Sequence, residues 1–221
     1  HARAPLQSYT CYVGGLPVIR RWPHEYKAPF SPSDVIEEYI RPARYVQNGK
    51  TVIRKALSEK EFLHFPQTGT LEAFNTDGLR SLIKTTDIPD MIEKTLRYPG
   101  TAQRMEMLRE MGFFSEETIK VNGTEIRPID FTSQLLFPQW QLGRTEEEFT
   151  LMRVILTRNN EKITYDLFDV YDKKSETSSM ARTTGYTCTA VVNLLADNIF
   201  DTKGIIAPEV LGRDAKSFEY I

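Results

Sequence analysis

Ser8–Pro17 reads Ser-Tyr-Thr-Cys-Tyr-Val-Gly-Gly-Leu-Pro. Tyr9, Cys11 and Val13 alternate with Ser8, Thr10 and Tyr12, the period-two pattern of a strand with unlike faces. Gly14 and Gly15 have no Cβ, so a ligand or another backbone can approach closely, and Pro17 removes a ladder donor. The stretch therefore reads as a strand that stops at the glycines and leaves amides open to a carboxylate. A tight exit from a core strand fits the same residues, and the pattern alone leaves both readings standing.

At 221 residues the chain can bury one sizeable core. Lys+Arg 28 against Asp+Glu 30 gives a net charge of −2 with no basic block, which sets aside nucleic acid and an anionic membrane as the main partner. No apolar run approaches the roughly 20 residues that span a bilayer, and no secretory h-region is present. Cys11 and Cys188 lie far apart without metal spacing, which predicts two free thiols in a reducing, cytoplasmic setting. Asn122-Gly123-Thr124 fits a glycosylation acceptor, but Asn-Gly is also a hairpin signal, and it is read as the turn. His1–Gln7 runs into the first strand with no initial Met, which reads as a processed end, a linker or a fragment edge.

Outward from the opening strand, residues 16–30 form a Pro- and aromatic-rich loop containing Trp22, Tyr26 and Phe30. Ser31 or Ser33 caps a helix whose first turn holds Pro32 and Asp34, and Pro42 ends it. Residues 44–46 and 51–54 flank Asn48-Gly49-Lys50, and residues 61–65 and 70–74 flank Pro66–Gly69; both read as hairpins. Asn75, Thr76 and Asp77 then stand at a strand-to-helix junction before a short helix at 79–84, either as N-caps or as ligand contacts. Residues 92–98 read as a strand broken by Pro99-Gly100, followed by a helix at 101–111 with Gly112 as C-cap. Arg97 there either turns its fork of donors toward a carboxylate or pairs with an acidic neighbour.

A hairpin around Asn122-Gly123 and a helix at 128–137, stopped by Pro138, come next. Residues 149–157 and 162–171, joined by Arg158-Asn159-Asn160-Glu161, form the longest strand pair. Apolar residues on both faces predict that this pair is central in its sheet. Met180–Tyr186 leads into a final helix through Val191, Val192, Leu194 and Leu195.

No Gly-x-Gly-x-x-Gly, P-loop or Gly-x-Ser-x-Gly is present, and His24 and His64 have no partner at metal-ligand spacing. A nucleophile built on Cys11 competes with the reading of Cys11 as a small buried hydrophobe. The chain shows no self-contained catalytic constellation.

Several words of the chain resemble the substrate-binding domain of the saccharopine dehydrogenase family, which includes lysine 6-dehydrogenases. They are Ser8–Pro17, Tyr26-Lys27, Phe30-Ser31-Pro32, Arg41–Arg44, Thr95–Gly100, Met180–Gly185 and Gly204–Glu209. Matching position by position implies substrate contacts at the glycine pair Gly14 and Gly15, at Phe30, at Asn75 and Thr76, at the carboxylate-binding Arg97 and at Thr184. Tyr26, Asp77 and Tyr98 complete the candidate set. Val13 stands where saccharopine reductases carry cysteine, and with Asn75–Gly78 this favours the lysine-dehydrogenase-like branch.

The resemblance implies an α+β domain with a mixed, largely antiparallel sheet, helices on one face and the other free for a dimer partner, without a Rossmann core in this chain. It divides the chain into residues 1–7 as an edge, 8–179 as a substrate-binding and dimerisation domain, and 180–221 as the return toward a Rossmann domain. The expected function is the substrate-binding half of an NAD(P)-dependent amino-acid dehydrogenase of lysine metabolism, oxidising a C–N bond through an imine. Lysine or a saccharopine-like amino acid is the expected substrate and a homodimer the expected assembly, with NAD or NADP held by the full-length protein rather than by this chain. The alternative is a non-catalytic amino-acid-binding or oligomerisation module, and a Cys11-dependent hydrolase or transferase stands third.

Overall fold

A computed structural model describes residues 5–159 and 161–221. Residues 1–4 of the expected N-terminal edge, and Asn160 of the expected turn, lie outside the described residues.

Strand β1 (Ser8–Pro17) is followed by α1 (Pro32–Ile40), β2 (Ala43–Gln47), β3 (Lys50–Arg54), β4 (Glu61–Phe65) and β5 (Gly69–Asn75). Then come α2 (Leu82–Thr85), β6 (Asp90–Arg97), α3 (Thr101–Glu110), β7 (Ile119–Val121), β8 (Thr124–Ile126) and α4 (Pro128–Trp140). The chain closes with β9 (Glu148–Arg158), β10 (Glu161–Val170), α5 (Ser179–Ala196), α6 (Pro208–Leu211) and α7 (Ala215–Tyr220). Among the described residues the main sheet has eight strands, along the path β10-β9-β1-β6-β2-β3, and β5 joins β6 and carries β4. Among the described residues, β1 and β6 are the strands of this sheet that pair in parallel; the other strand pairings are antiparallel. This is the expected α+β architecture with a mixed, largely antiparallel sheet.

The opening strand does not stop at its glycines. It continues through Gly14↔Leu151 and Gly15↔Thr150 to Pro17↔Glu148 on β9. The glycines mark a close approach instead: a Cβ at Gly14 would stand 2.5 Å from the backbone oxygen of Leu96 on β6. Pro17 sits at the strand's last position, where a missing donor is tolerated.

Helix α1 starts where expected, with Ser31 as N-cap residue and Pro32 in the first turn, but the Ser31 hydroxyl pairs with that of Ser33 at 2.6 Å instead of capping a backbone N–H; the helix buries Val35, Ile36 and Tyr39. These side chains join Phe74, Leu96 and Trp140 in the main core. The N-terminus of α3 is closed from outside the helix: Glu72 of β5 accepts from the Ala102 N–H at 3.0 Å. Arg109 of α3 donates to the Tyr39 and Ala56 carbonyls at 3.0 and 2.9 Å, tying α3 to the end of α1.

Three further expectations are corrected. Helix α4 runs past Pro138 to Trp140, because Trp140 is buried against the edges of Tyr26 and Tyr39 and packing outweighs one lost helical bond. The helix expected at 79–84 is confined to Leu82–Thr85, since Leu79 turns into the second core cluster with Tyr45 and Met91. Of the long strand pair only β9 is interior; β10 is the sheet edge, and its Tyr165, Phe168 and Val170 are exposed. Asn122 and Gly123 do form the hairpin turn, both at positive φ.

Gly14→Ala is expected to destabilise the fold by about 1–3 kcal/mol, because the added methyl meets rigid backbone. At Gly15 the nearest atom to an added Cβ is the flexible end of Met180, so Gly15→Ala is expected to be milder. Urea denaturation of the two variants checks this; equal midpoints would contradict it.

Candidate functional site

Parallel pairing sets Cys11 beside Glu93 and Val13 beside Thr95, so alternate residues of β1 and β6 share one face. That face floors a cleft of about 600 Å³. Tyr9, Cys11, Val13, Gly14 and Gly15 come from β1, and Glu93, Thr95 and Arg97 from β6. The walls are Asp34, Glu37 and Glu38 of α1, Thr76–Arg80 between β5 and α2, Phe30 of the preceding loop, and Met180 of α5.

Six of the ten sequence-derived candidates line this cleft: Gly14, Gly15, Phe30, Thr76, Asp77 and Arg97. The other four do not. Asn75 is buried, accepting from the Tyr45 hydroxyl and donating to Ser58 Oγ at 3.0 Å. Tyr26 lies beneath Arg97, whose guanidinium carbon is 4.5 Å from the ring centroid. Tyr98 donates its hydroxyl to the Pro17 carbonyl at 2.8 Å, with Arg20 over its ring. Thr184 sits on α5 with its hydroxyl donated to the Met180 carbonyl at 2.6 Å.

Arg97 is 2 % exposed, and its fork is engaged. Nη2 donates to Glu38 Oε2 at 2.8 Å and reaches Tyr26 at 3.5 Å, Nη1 donates to the Leu96 carbonyl at 2.9 Å, and Nε reaches Tyr39 at 3.4 Å. Burial pushes the Glu38 carboxyl up, and Arg97 pulls it back. Burial opposes the Arg97 charge, but the Tyr26, Tyr39 and Glu38 oxygens around it outweigh that, and Arg97 stays a cation.

Asp77 is also engaged. Arg44 donates to both of its carboxylate oxygens at 2.8 Å. Burial alone would raise Asp77, yet the Arg44 bonds hold it below the usual carboxylate range. Neither Asn75, Thr76 nor Asp77 caps α2; Ser81 is its N-cap residue.

Residue-by-residue reading missed Glu93. Thr76 Oγ1 donates to Glu93 Oε2 at 2.8 Å and lies 2.8 Å from Thr95 Oγ1. Burial pushes the Glu93 carboxyl up to about 8, against the hydrogen bond from Thr76. The signal was the alternation Glu93-x-Thr95-x-Arg97, three polar residues on one face of a strand. Cys11 is buried as expected, and its thiol is pushed up to about 11 by burial and by Glu93, the reverse of an activated nucleophile. Among the described residues no group of His, Cys, Asp and Glu is arranged to hold a metal ion.

The folded state holds the Glu93 proton more tightly than the unfolded chain, whose carboxyl lies near 4.5. Stability contributed by this group is therefore present below about pH 5 and lost as pH rises toward about 8. The slope is at most about 1.4 kcal/mol per pH unit. Urea melts across that window are expected to show a decline in the wild type that Glu93→Gln removes; parallel profiles would contradict the assignment.

The chain is 27 % identical over 165 residues to the mitochondrial alpha-aminoadipic semialdehyde synthase of Rattus norvegicus, covering 70 % of this chain and 18 % of that protein. The Mus musculus protein of the same name matches to the same extent, and that of Bos taurus is 27 % identical over 144 residues, covering 60 % of this chain and 15 % of its own. The chain thus spans under a fifth of the length of these curated relatives. Saccharopine dehydrogenase (L-Glu forming) from Saccharomyces cerevisiae superposes with a TM-score of 0.73 at 17 % identity, over 98 % of this chain and 64 % of that one, a likeness of fold. The model of the saccharopine dehydrogenase C-terminal domain matches residues 1–220, and the chain belongs to that family.

Proposed function

We propose that this chain is the substrate-binding part of an NAD(P)-dependent amino-acid dehydrogenase of lysine metabolism, acting at a C–N bond of lysine or a saccharopine-like amino acid. The observation that carries the reading is the cleft itself. One face of β1 and β6 presents a buried cation, Arg97, and a buried carboxyl, Glu93, two strand positions apart on each side of Thr95. Separated groups of opposite character in a small cavity suit the two ends of a zwitterion. The six candidates that line the cleft are proposed as substrate contacts: Gly14 and Gly15 by close backbone approach, Phe30 as an apolar wall, and Thr76, Asp77 and Arg97 through polar groups. Tyr26 and Tyr98 act behind them by holding Arg97 and the end of β1, and Asn75 by fixing the β5 exit. Thr184 is proposed only through its place on α5, one turn after Met180.

The residues described do not fit a dinucleotide. Their strand-to-helix turns carry no Gly-x-Gly-x-x-Gly. The N-terminus of α5, the longest helix described, is closed by Ser178, which accepts from the Ala181 N–H, and by Glu148, which accepts from the Ser179 N–H. We assign the nicotinamide cofactor to a part of the protein outside these residues. The long edge strand β10, with exposed Tyr165, Phe168 and Val170, supports the proposed homodimer, since such an edge needs cover. Cys11 and Cys188 are free thiols, which suits a reducing compartment such as the cytoplasm, while the curated relatives carry a mitochondrial designation. Among the described residues no helix is long and apolar enough to cross a membrane.

With the full-length gene product, lysine- or saccharopine-dependent reduction of NAD or NADP is expected, followed by absorbance. Arg97→Lys keeps the charge but loses the fork, and is expected to lower kcat/KM for the amino acid by at least about a hundredfold. Absence of turnover with either amino acid and either cofactor would overturn the proposal.

A further inference from the structure

Three carboxylates of the cleft already have cations, and a fourth faces water. Asp77 is held by Arg44, Glu38 by Arg97 and Glu37 by Arg41, while Asp34 is exposed at the rim. Glu93 differs from all of them. It is 6 % exposed, lies in the cleft wall and, among the described residues, forms no ion pair. Its partners are neutral donors: the Thr76 hydroxyl at 2.8 Å, backed by Thr95, and the Gly78 N–H. The niche is built around that carboxyl, because a Cβ at Gly78 would stand 2.1 Å from Glu93 Oε2. A buried carboxyl with neutral hydrogen-bond donors and no cation keeps its proton, and a cleft opening beside it gives a cation a route in.

We propose that Glu93 is the anchor for a substrate ammonium and releases its own proton when that cation binds. The inference rests on the reading of the cleft as an amino-acid site. It moves the ammonium contact away from Asp77, whose two oxygens are committed to Arg44.

The groups facing Glu93 are Tyr9 and Cys11 of β1, Tyr45 of β2, Glu38 of α1 and Arg97 of β6. Tyr9, Cys11 and Tyr45 are all pushed above their ordinary values by burial and stay neutral near pH 7, and Arg97 stays charged. Glu38 is the one other carboxyl able to exchange a proton there, since burial raises it too. The side-chain ammonium of lysine, ordinarily near about 10.4, keeps its proton on binding. The proton balance is therefore simple: lysine arrives as a cation, Glu93 passes to the carboxylate, and one proton goes to solvent.

Calorimetric titration of L-lysine into the full-length protein at about pH 7, in two buffers of different ionisation enthalpy, reads that proton directly. Release of about one proton per lysine is expected, with affinity rising as pH increases from about 6 to 8. Glu93→Gln, which keeps the shape and the Thr76 contact, is expected to abolish the release, flatten the pH profile and weaken lysine at least tenfold. Release that persists in Glu93→Gln would point to Glu38 and overturn the assignment. Wild-type binding without proton release would do the same while leaving the amino-acid site intact. If lysine does not bind the wild type at all, the site reading and the Glu93 assignment fall together.

Discussion

A guanidinium buried to 2 % exposure sets the terms for the rest of this fold. Arg97 stands at the end of β6 and draws three other pieces of chain to itself: the Tyr26 ring from the long loop, and Tyr39 and Glu38 from α1. A charge removed from water is tolerated only when its donors are matched, and here a carboxylate, two phenols and a backbone carbonyl surround it. Removing Glu38 would leave the cation buried without its anion, which is why α1 cannot drift from the sheet. The same contact fixes one wall of the cleft.

From that anchor the cleft follows by alternation. Parallel pairing of β1 with β6 places Cys11, Val13, Glu93 and Thr95 on one face with Arg97, while Leu96 and Tyr12 turn to the core cluster on the other. The glycine pair matters because β1 and β6 converge there, with Leu96 under Gly14. Close backbone approach, rather than open amides at a strand end, is what the missing Cβ atoms provide. One strand face therefore carries an arginine with four of its five N–H groups on oxygen atoms and a carboxyl matched only by neutral donors. Local partners, not distance from solvent, make the difference between them.

The fold was largely legible because its signals are local. Asn48-Gly49, Asn122-Gly123 and Pro32 announce two hairpins and a helix start, and all three stand where they are read. Signals that depend on packing were misjudged. Pro138 suggests a helix stop, but burial of Trp140 carries α4 three residues past the expected end at 137. Apolar residues on both faces of the last strand pair suggested a central position, yet β10 closes the sheet as an edge. For the site, residue types and recognisable words located six of the residues that line the cleft, but could not say which charges already had partners. Arg44 on Asp77 and Glu38 on Arg97 are pairings across 33 and 59 residues, and no spacing rule reports them. Glu93 escaped notice for the complementary reason: its role comes from a missing partner.

We propose that an amino acid binds in the β1–β6 cleft. Chemical-shift mapping of the isotopically labelled protein during titration with L-lysine tests this most directly. Saturable shifts are expected to concentrate on Gly14, Gly15, Thr76, Gly78, Glu93, Thr95 and Arg97, with little change along β7, β8 and α4. Saturable shifts confined to other surfaces, with the β1 and β6 amides unmoved, would contradict it.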